Sequence, residues 1–293
     1  MPSLKEVRTR IESVNSTRQI TSAMKMVAAS KLRKAQNSII TMRPYAAKLR
    51  ELMQNIATNL ESSSQGNFSV VRPLERILIV PVTSNRGLCG AFNANVIRQT
   101  NKIINEKYSS QLEAGNVSLY CIGKKGLEFF RKSKITILDS EINVFDKLSF
   151  ETVVPLAEKL MKHFEDASFD RIVFVYNQFK NAGSQTLIEE QLLPIELPAK
   201  VESDNVEGPE FIFEPDKVEI LDQLIPRTLK MQVYKMLLDS YASEHGARMI
   251  AMHKATDNAS EMLKELKLTY NKARQASITK EILEIVGGAD ALT

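Results

Sequence analysis

The sequence predicts a mixed α/β protein, with a long antiparallel coiled coil of the N- and C-terminal helices and a central Rossmann-like α/β domain. Three observations lead there. The first 65 residues lack glycine, eight of the 11 glycines lie between Gly66 and Gly208, and only Gly246 falls between Gly208 and Gly287. Proline is distributed in the same way, with Pro44 alone between Pro2 and Pro73 and none after Pro226. Both residues break regular helices, so their scarcity marks two helical arms around a turn-rich middle. Within that middle, strand-like and helix-like segments alternate, as they do in a mainly parallel sheet with crossover helices. The implied division is residues 1–65 for the N-terminal helix, 70–213 for the α/β domain and 214–293 for a C-terminal helix that pairs with 1–65.

In the first arm, four- and three-residue steps alternate strictly through Ala28, Leu32, Ala35, Ile39, Met42, Ala46, Leu49, Met53, Ile56 and Leu60, which is a coiled-coil seam. Run backwards, the register gives Leu4, Val7, Ile11 and Val14. It then meets Arg18, Thr21 and Lys25, while the apolar Ile20, Met24 and Val27 sit one position earlier. This predicts a stutter there, with a bend or short break near Asn15, Ser16 and Thr17, whose side chains compete for backbone hydrogen bonds. The second arm, from about Arg227 to Val286, repeats the spacing through Leu238, Ala242, His245, Met249, Met252, Thr256, Ala259, Leu263, Leu266, Tyr270 and Ala273. Neither arm can make a compact core alone. Packing them on each other, antiparallel because the middle domain returns the chain, is the economical solution.

Charge follows the same division. Residues 1–60 carry eleven Lys or Arg against three Glu, and 227–286 carry ten basic against seven acidic residues, although the net charge of the chain is only +4. Basic arms with an acidic body fit an acidic partner around the arms, and equally a solvated helix face. Nucleic acid has the right sign too, but the first arm has a single aromatic, Tyr45, and no recognition motif.

In the middle, Arg76–Thr83 is a short β-branched run that reads as a buried strand and leads through Ser84–Phe92 into a helix ending near Tyr108. Val117–Ile122 is a second strand, followed by Gly123-Lys-Lys-Gly126 and a helix over Leu127–Lys132. An amphipathic helix covers about Phe150–Phe164. Asp170–Asn177 is a further buried strand, and Gln185–Leu197 continues from it through a turn at Asn181–Ser184. Pro198 to Pro215 reads as a connector with a short strand at Glu210–Phe213.

Chemistry-bearing patterns are weak. Arg86–Gly90 holds two glycines three apart, which is neither a dinucleotide fingerprint nor a Walker loop, and reads as a tight turn. Gly123–Gly126 could grip an anion through its lysines but also reads as a turn. His163, His245 and His253 match no common metal spacing, and Cys89 has no base partner in view. Glu189 and Glu190 point to opposite sides of a strand and cannot form a dyad. No apolar run reaches the roughly 18–20 residues of a spanning helix, and two cysteines offer no disulfide framework. The N-terminus has neither a signal core nor a transit-peptide composition, so a cytoplasmic chain is expected.

Several longer stretches are more specific: Ile20–Gln36 (ITSAMKMVAASKLRKAQ), Ser84–Asn93 (SNRGLCGAFN), Ser243–Met252 (SEHGARMIAM), Ala255–Met262 (ATDNASEM), Tyr270–Ile282 (YNKARQASITKEI) and Glu284–Gly288 (EIVGG). In this order and over nearly the whole chain, the sequence resembles the gamma subunits of F-type ATP synthases. The resemblance implies a non-catalytic rotor shaft. Its paired terminal helices would thread a ring of three alpha and three beta subunits, and its α/β domain would form a foot on the epsilon subunit and the membrane c-ring. No cofactor is implied on this chain; ATP or ADP and magnesium belong to the alpha and beta subunits.

By motif, Met24 falls near the acidic coupling loop of beta, while Arg248, Gln275 and Thr279 match polar residues that meet beta. Ile282, Ile285 and Val286 form the apolar shaft tip. The resemblance also implies no nucleic-acid partner, membrane association only through the complex, and a place on the cytoplasmic face of a bacterial inner membrane. Lys25 stands where some bacterial members carry Glu, and Gly246 where Ala is frequent. The cysteine-bearing insertion of chloroplast members is absent, which predicts no thiol switch.

Overall fold

A computed structural model describes residues 3–58, 68–195 and 217–290. The connector at 198–215, its expected strand at Glu210–Phe213 and seam residue Leu60 lie outside the described residues, as do the side chains of Met53 and Ile56. The order of elements is α1 (Leu4–Thr58), β1 (Ile77–Pro81), α2 (Phe92–Lys107), α3 (Ser109–Glu113), β2 (Val117–Ile122), α4 (Lys124–Phe130), β3 (Thr136–Glu141), α5 (Phe150–Glu165), β4 (Arg171–Asn181), β5 (Ser184–Leu193) and α6 (Lys217–Asp290). Two compact units share these elements, one of Met1–Ala29 with Arg248–Thr293 and the other of Ser30–Ala247.

The larger unit holds a five-stranded sheet of order β3-β2-β1-β4-β5. β1 lies parallel to both β2 and β4, β2 is parallel to β3, and β5 is the antiparallel edge. Alternation along β1 sends Leu78 and Val80 to one face, with Leu156, Leu160 and Phe164 of α5 and Leu229, Val233 and Met236 of α6. Ile77 and Ile79 face the other side, with Val96, Ile103 and Ile104 of α2 and Leu127 and Phe130 of α4. A strand covered on both faces reads as an unbroken apolar run, and Ile77–Val80 does. β3 escapes a sequence reading because it is an edge strand with a half-exposed, weakly alternating pattern.

α6 begins ten residues before Arg227 and contains Pro226. Ile225 and Leu229 are buried in the sheet core, and this packing outweighs the backbone hydrogen bond that a proline removes. Within the same unit Leu32, Ala35, Ile39, Met42 and Leu49 are buried, as the seam requires. The Arg227 guanidinium lies 5.6 Å from the Tyr45 ring centre. Gly246, mid-helix, has a packing reason: a Cβ there would stand 3.1 Å from the Ala182 carbonyl oxygen in the β4–β5 turn.

In the smaller unit, the expected stutter does not occur. α1 is one helix from Leu4, without a break at Asn15–Thr17, and its register runs straight through Arg18, Thr21 and Lys25. Thr21 is buried and its Oγ1 lies 2.8 Å from Thr256 Oγ1 on α6, while Ile20 and Val27 stay exposed. Thr21 Oγ1 also lies 3.1 Å from the Arg18 carbonyl and Thr256 Oγ1 2.8 Å from that of Met252, so one hydroxyl donates across the seam while the other donates to its own helix, and the polar pair is satisfied without a register shift. Residues before Thr21 share this unit with residues after Thr256, so the helices run antiparallel. Val7 and Ala28 of α1 and Met252, Ala259 and Leu263 of α6 are buried here.

Candidate functional site

Two places merit a functional reading: the crevice at the C-terminal ends of the parallel strands, and the outer surface of the helical pair. In open α/β sheets a ligand crevice opens where neighbouring strands lead their connections to opposite sides, here beyond β1 and β4. The chain's own side chains occupy that region. Ser84, fully buried, receives a hydrogen bond at its Oγ from Asn93 Nδ2 at 2.8 Å, and its backbone N–H donates to Asn93 Oδ1 at 2.9 Å. Ser243 of α6 donates to the Asn177 carbonyl at 3.0 Å, and Asn177 reaches the Phe92 carbonyl.

The Gly123–Gly126 segment is likewise engaged internally. The Lys124 N–H donates to Asn85 Oδ1 at 3.0 Å and the Gly126 N–H to Thr83 Oγ1 at 2.8 Å. Gly123 has φ of 90° and a Cβ on it would lie 2.1 Å from the Thr83 carbonyl oxygen, so only glycine fits. These glycines let α4 approach β1 closely, and the N–H groups of Lys124 and Gly126 that could have met an anion are used by Asn85 and Thr83. Leu88 and Gly90, both at positive φ, make the tight strand-to-helix turn.

The other candidate groups lie apart. Cys89 is buried with Asn93 Nδ2 3.3 Å from its Sγ, and burial pushes the Cys121 thiol up to about 12, which keeps it protonated. His163 packs edge-on to Phe169, His245 edge-on to Tyr241, and His253 pairs with Asp257 at 3.3 Å. Glu189 receives Lys107 on one side of β5, while Glu190 accepts from Tyr176 Oη at 2.5 Å and Gln232 at 2.9 Å on the other.

On the helical pair, the residues singled out from sequence do not form one cluster. Met24 is half-buried and Arg248 is buried, whereas Gln275 and Thr279 are exposed one turn apart, with Thr279 Oγ1 donating to the Gln275 carbonyl. Ile282, Ile285 and Val286 are exposed, with 72% of the Ile285 surface accessible. Past Ser277 every side chain described on α6 is exposed. Sequence reasoning missed the apolar residues that extend this surface: Met26 beside Ile20 and Val27 on α1, and Leu268, Ile278 and Leu283 on α6. Their signal was present as apolar residues off the seam register. Large apolar side chains are thus left exposed along both helices of the pair.

Known proteins match the chain over nearly its whole length. A family model described as ATP synthase matches residues 3–292. A protein of Cytophaga hutchinsonii named ATP synthase gamma chain is 53% identical over 293 residues, covering 100% of this chain and 99% of that one. A Flavobacterium psychrophilum protein of the same name is 53% identical over 294 residues, with the same coverage. Among solved structures, a chain of the Euglena gracilis mitochondrial ATP synthase, described as OSCP/F1/c-ring in rotational state 3, superimposes with a TM-score of 0.71 at 25% identity, covering 99% of this chain and 94% of that one. With full-length matches in sequence and fold, the chain belongs to the ATP synthase gamma chain family.

Proposed function

We propose that the chain is the central rotor shaft of an F-type ATP synthase, carrying rotation of a proton-driven membrane ring to the catalytic subunits, and in reverse when ATP is hydrolysed. The observation that supports this best is the antiparallel helical pair whose seam is internally packed while its outer face and far end carry exposed apolar and polar residues. In this reading the helices of 1–65 and 214–293 turn inside a ring of three alpha and three beta subunits, and 70–213 is the foot on the epsilon subunit and the c-ring.

The chain performs no chemistry of its own. ATP or ADP and magnesium are held by alpha and beta. The shaft acts as an effector: each orientation presents different contacts to a beta subunit, and the difference in contact free energy biases that subunit among states of unlike nucleotide affinity. Gln275 and Thr279 face outward and can exchange hydrogen bonds with successive beta subunits. Arg248 lies at the packed edge of the pair, where a beta carboxylate reaching it meets a charged, multiply donating partner. Met24 adds an apolar contact to the coupling loop of beta. Ile282, Ile285 and Val286 make a tip without directed hydrogen bonds, a surface that resists turning little. In this reading the chain is attached peripherally, through the complex, on the cytoplasmic face of a bacterial inner membrane; no helix among the described residues is long and apolar enough to cross a membrane.

The test is the native mass of what co-purifies with a tagged copy from detergent-solubilised host membranes. One copy per three alpha and three beta subunits, with ATPase activity, is expected. A monomer or homodimer refutes the proposal. Gln275→Cys should then cross-link to a cysteine placed in the beta loop; its failure to do so in an intact complex would remove the residue assignment alone.

A further inference from the structure

A second feature belongs to the larger unit alone. A hollow of about 700 Å³ opens between α2, β4, β5 and α6, bounded by Lys107, Arg171, Glu189, Glu190, Gln191 and Gln232. Its acceptors and donors are unequally satisfied. Lys107 Nζ lies 2.6 Å from Glu189, and that contact raises the lysine pKa, so this pair is neutral as a unit. Glu190 takes Tyr176 and Gln232, with Lys235 at 3.9 Å. Gln191 donates to the Pro194 carbonyl. The neighbouring carboxylate, Asp170, accepts from the backbone N–H groups of Glu75 and Arg76 at 3.1 and 2.7 Å. Arg171 remains. Its Nε is shielded from water and meets no acceptor among the described residues. Lys107 is close enough to repel it.

With the carboxylates that bound the hollow already bonded among the described residues, this guanidinium is an incomplete half of an ion pair. Arg171 also lines the hollow, where a ligand with two oxygens in one plane can meet the remainder of its guanidinium. We propose that this hollow is a binding site for a small oxyanion of the phosphate or carboxylate class, received by the Arg171 fork with Lys107 at its rim. The ligand would join α2, β4 and α6 around the β5 edge of the sheet. This assignment is independent of the shaft reading, because no residue of it belongs to the rotor–stator surface.

The experiment titrates the full chain with inorganic phosphate, and separately with acetate, at constant ionic strength made up with chloride to hold screening fixed. Thermal midpoint and, for phosphate, ³¹P line width are read. Phosphate or acetate should raise the midpoint saturably; the anion that does so fixes the ligand class. Arg171→Gln should weaken apparent affinity roughly tenfold or more, as expected for losing a charge-assisted bond. Lys107→Gln, an exposed change safe for folding, should weaken it less, and Lys102→Gln, on the same helix but outside the hollow, should leave it unaltered. Absence of a saturable shift with either anion, or equal affinity in the native chain and in Lys107→Gln and Arg171→Gln, overturns the proposal. If Arg171→Gln does not fold, the Lys107→Gln comparison decides it.

Discussion

Asp239 sits on α6 with only 7% of its surface accessible, beside Lys235 and opposite Arg43 of α1, with Glu190 as the like charge on β5. Burial dominates, and it lifts the carboxyl from 3.8 to about 6 despite the two cations. The folded chain therefore holds this proton more tightly than the unfolded one. Stability from this group is fully present below about pH 4 and is lost as pH rises through about 6. A shift of about two units corresponds to about 3 kcal/mol. Asp239→Asn keeps the shape and removes the ionisation. It should be nearly neutral at pH 4, and above pH 7 it should be more stable than the native chain by an amount approaching that figure. Urea unfolding of both full-length chains from pH 4 to 8, followed by circular dichroism, gives the difference directly and cancels contributions from other groups. A difference that stays flat with pH, or a native chain that gains on the variant above pH 6, would refute the reasoning about burial.

Further outcomes follow from the same structure. Gly123→Ala would place a Cβ 2.1 Å from the Thr83 carbonyl at φ of 90°, so α4 must separate from β1; a loss of about 3 kcal/mol or more, or failure to express folded chain, is expected. Gly246→Val should cost about 1–3 kcal/mol by crowding the Ala182 carbonyl, read as a lower unfolding midpoint, whereas a gain would mean that helix propensity alone governs this position. Replacing Thr21 and Thr256 together by Val should be nearly neutral or stabilising in thermal melts, because a satisfied polar pair exchanges for an apolar one of similar shape. Ile285→Ser should leave the melting of the chain within about 0.5 kcal/mol, because the side chain is exposed, while altering coupled ATPase activity in the assembled complex.

The helical arms and the buried strands were legible because their signals are local and periodic. Glycine-free stretches, the four-three spacing from Ala28 to Leu49, and the unbroken apolar runs of β1 and β4 each follow from one-dimensional pattern. Sequence motifs also carried the family, since Ile20–Gln36 and Tyr270–Ile282 are long and ordered. The tertiary structure decided what pattern could not. Apolar Ile20 and Val27 beside polar Thr21 look like a register shift until Thr256 appears opposite Thr21, a partner 235 residues away. Pro226 would break an isolated helix, and the sheet core that receives Ile225 and Leu229 carries α6 through it. Gly246 reads as a weak point until the β4–β5 turn is seen against it. The hollow around Arg171 draws on four elements, and no spacing along the chain announces it. In each case the deciding energy is a contact between residues distant in sequence, and such contacts exist only once the chain has folded.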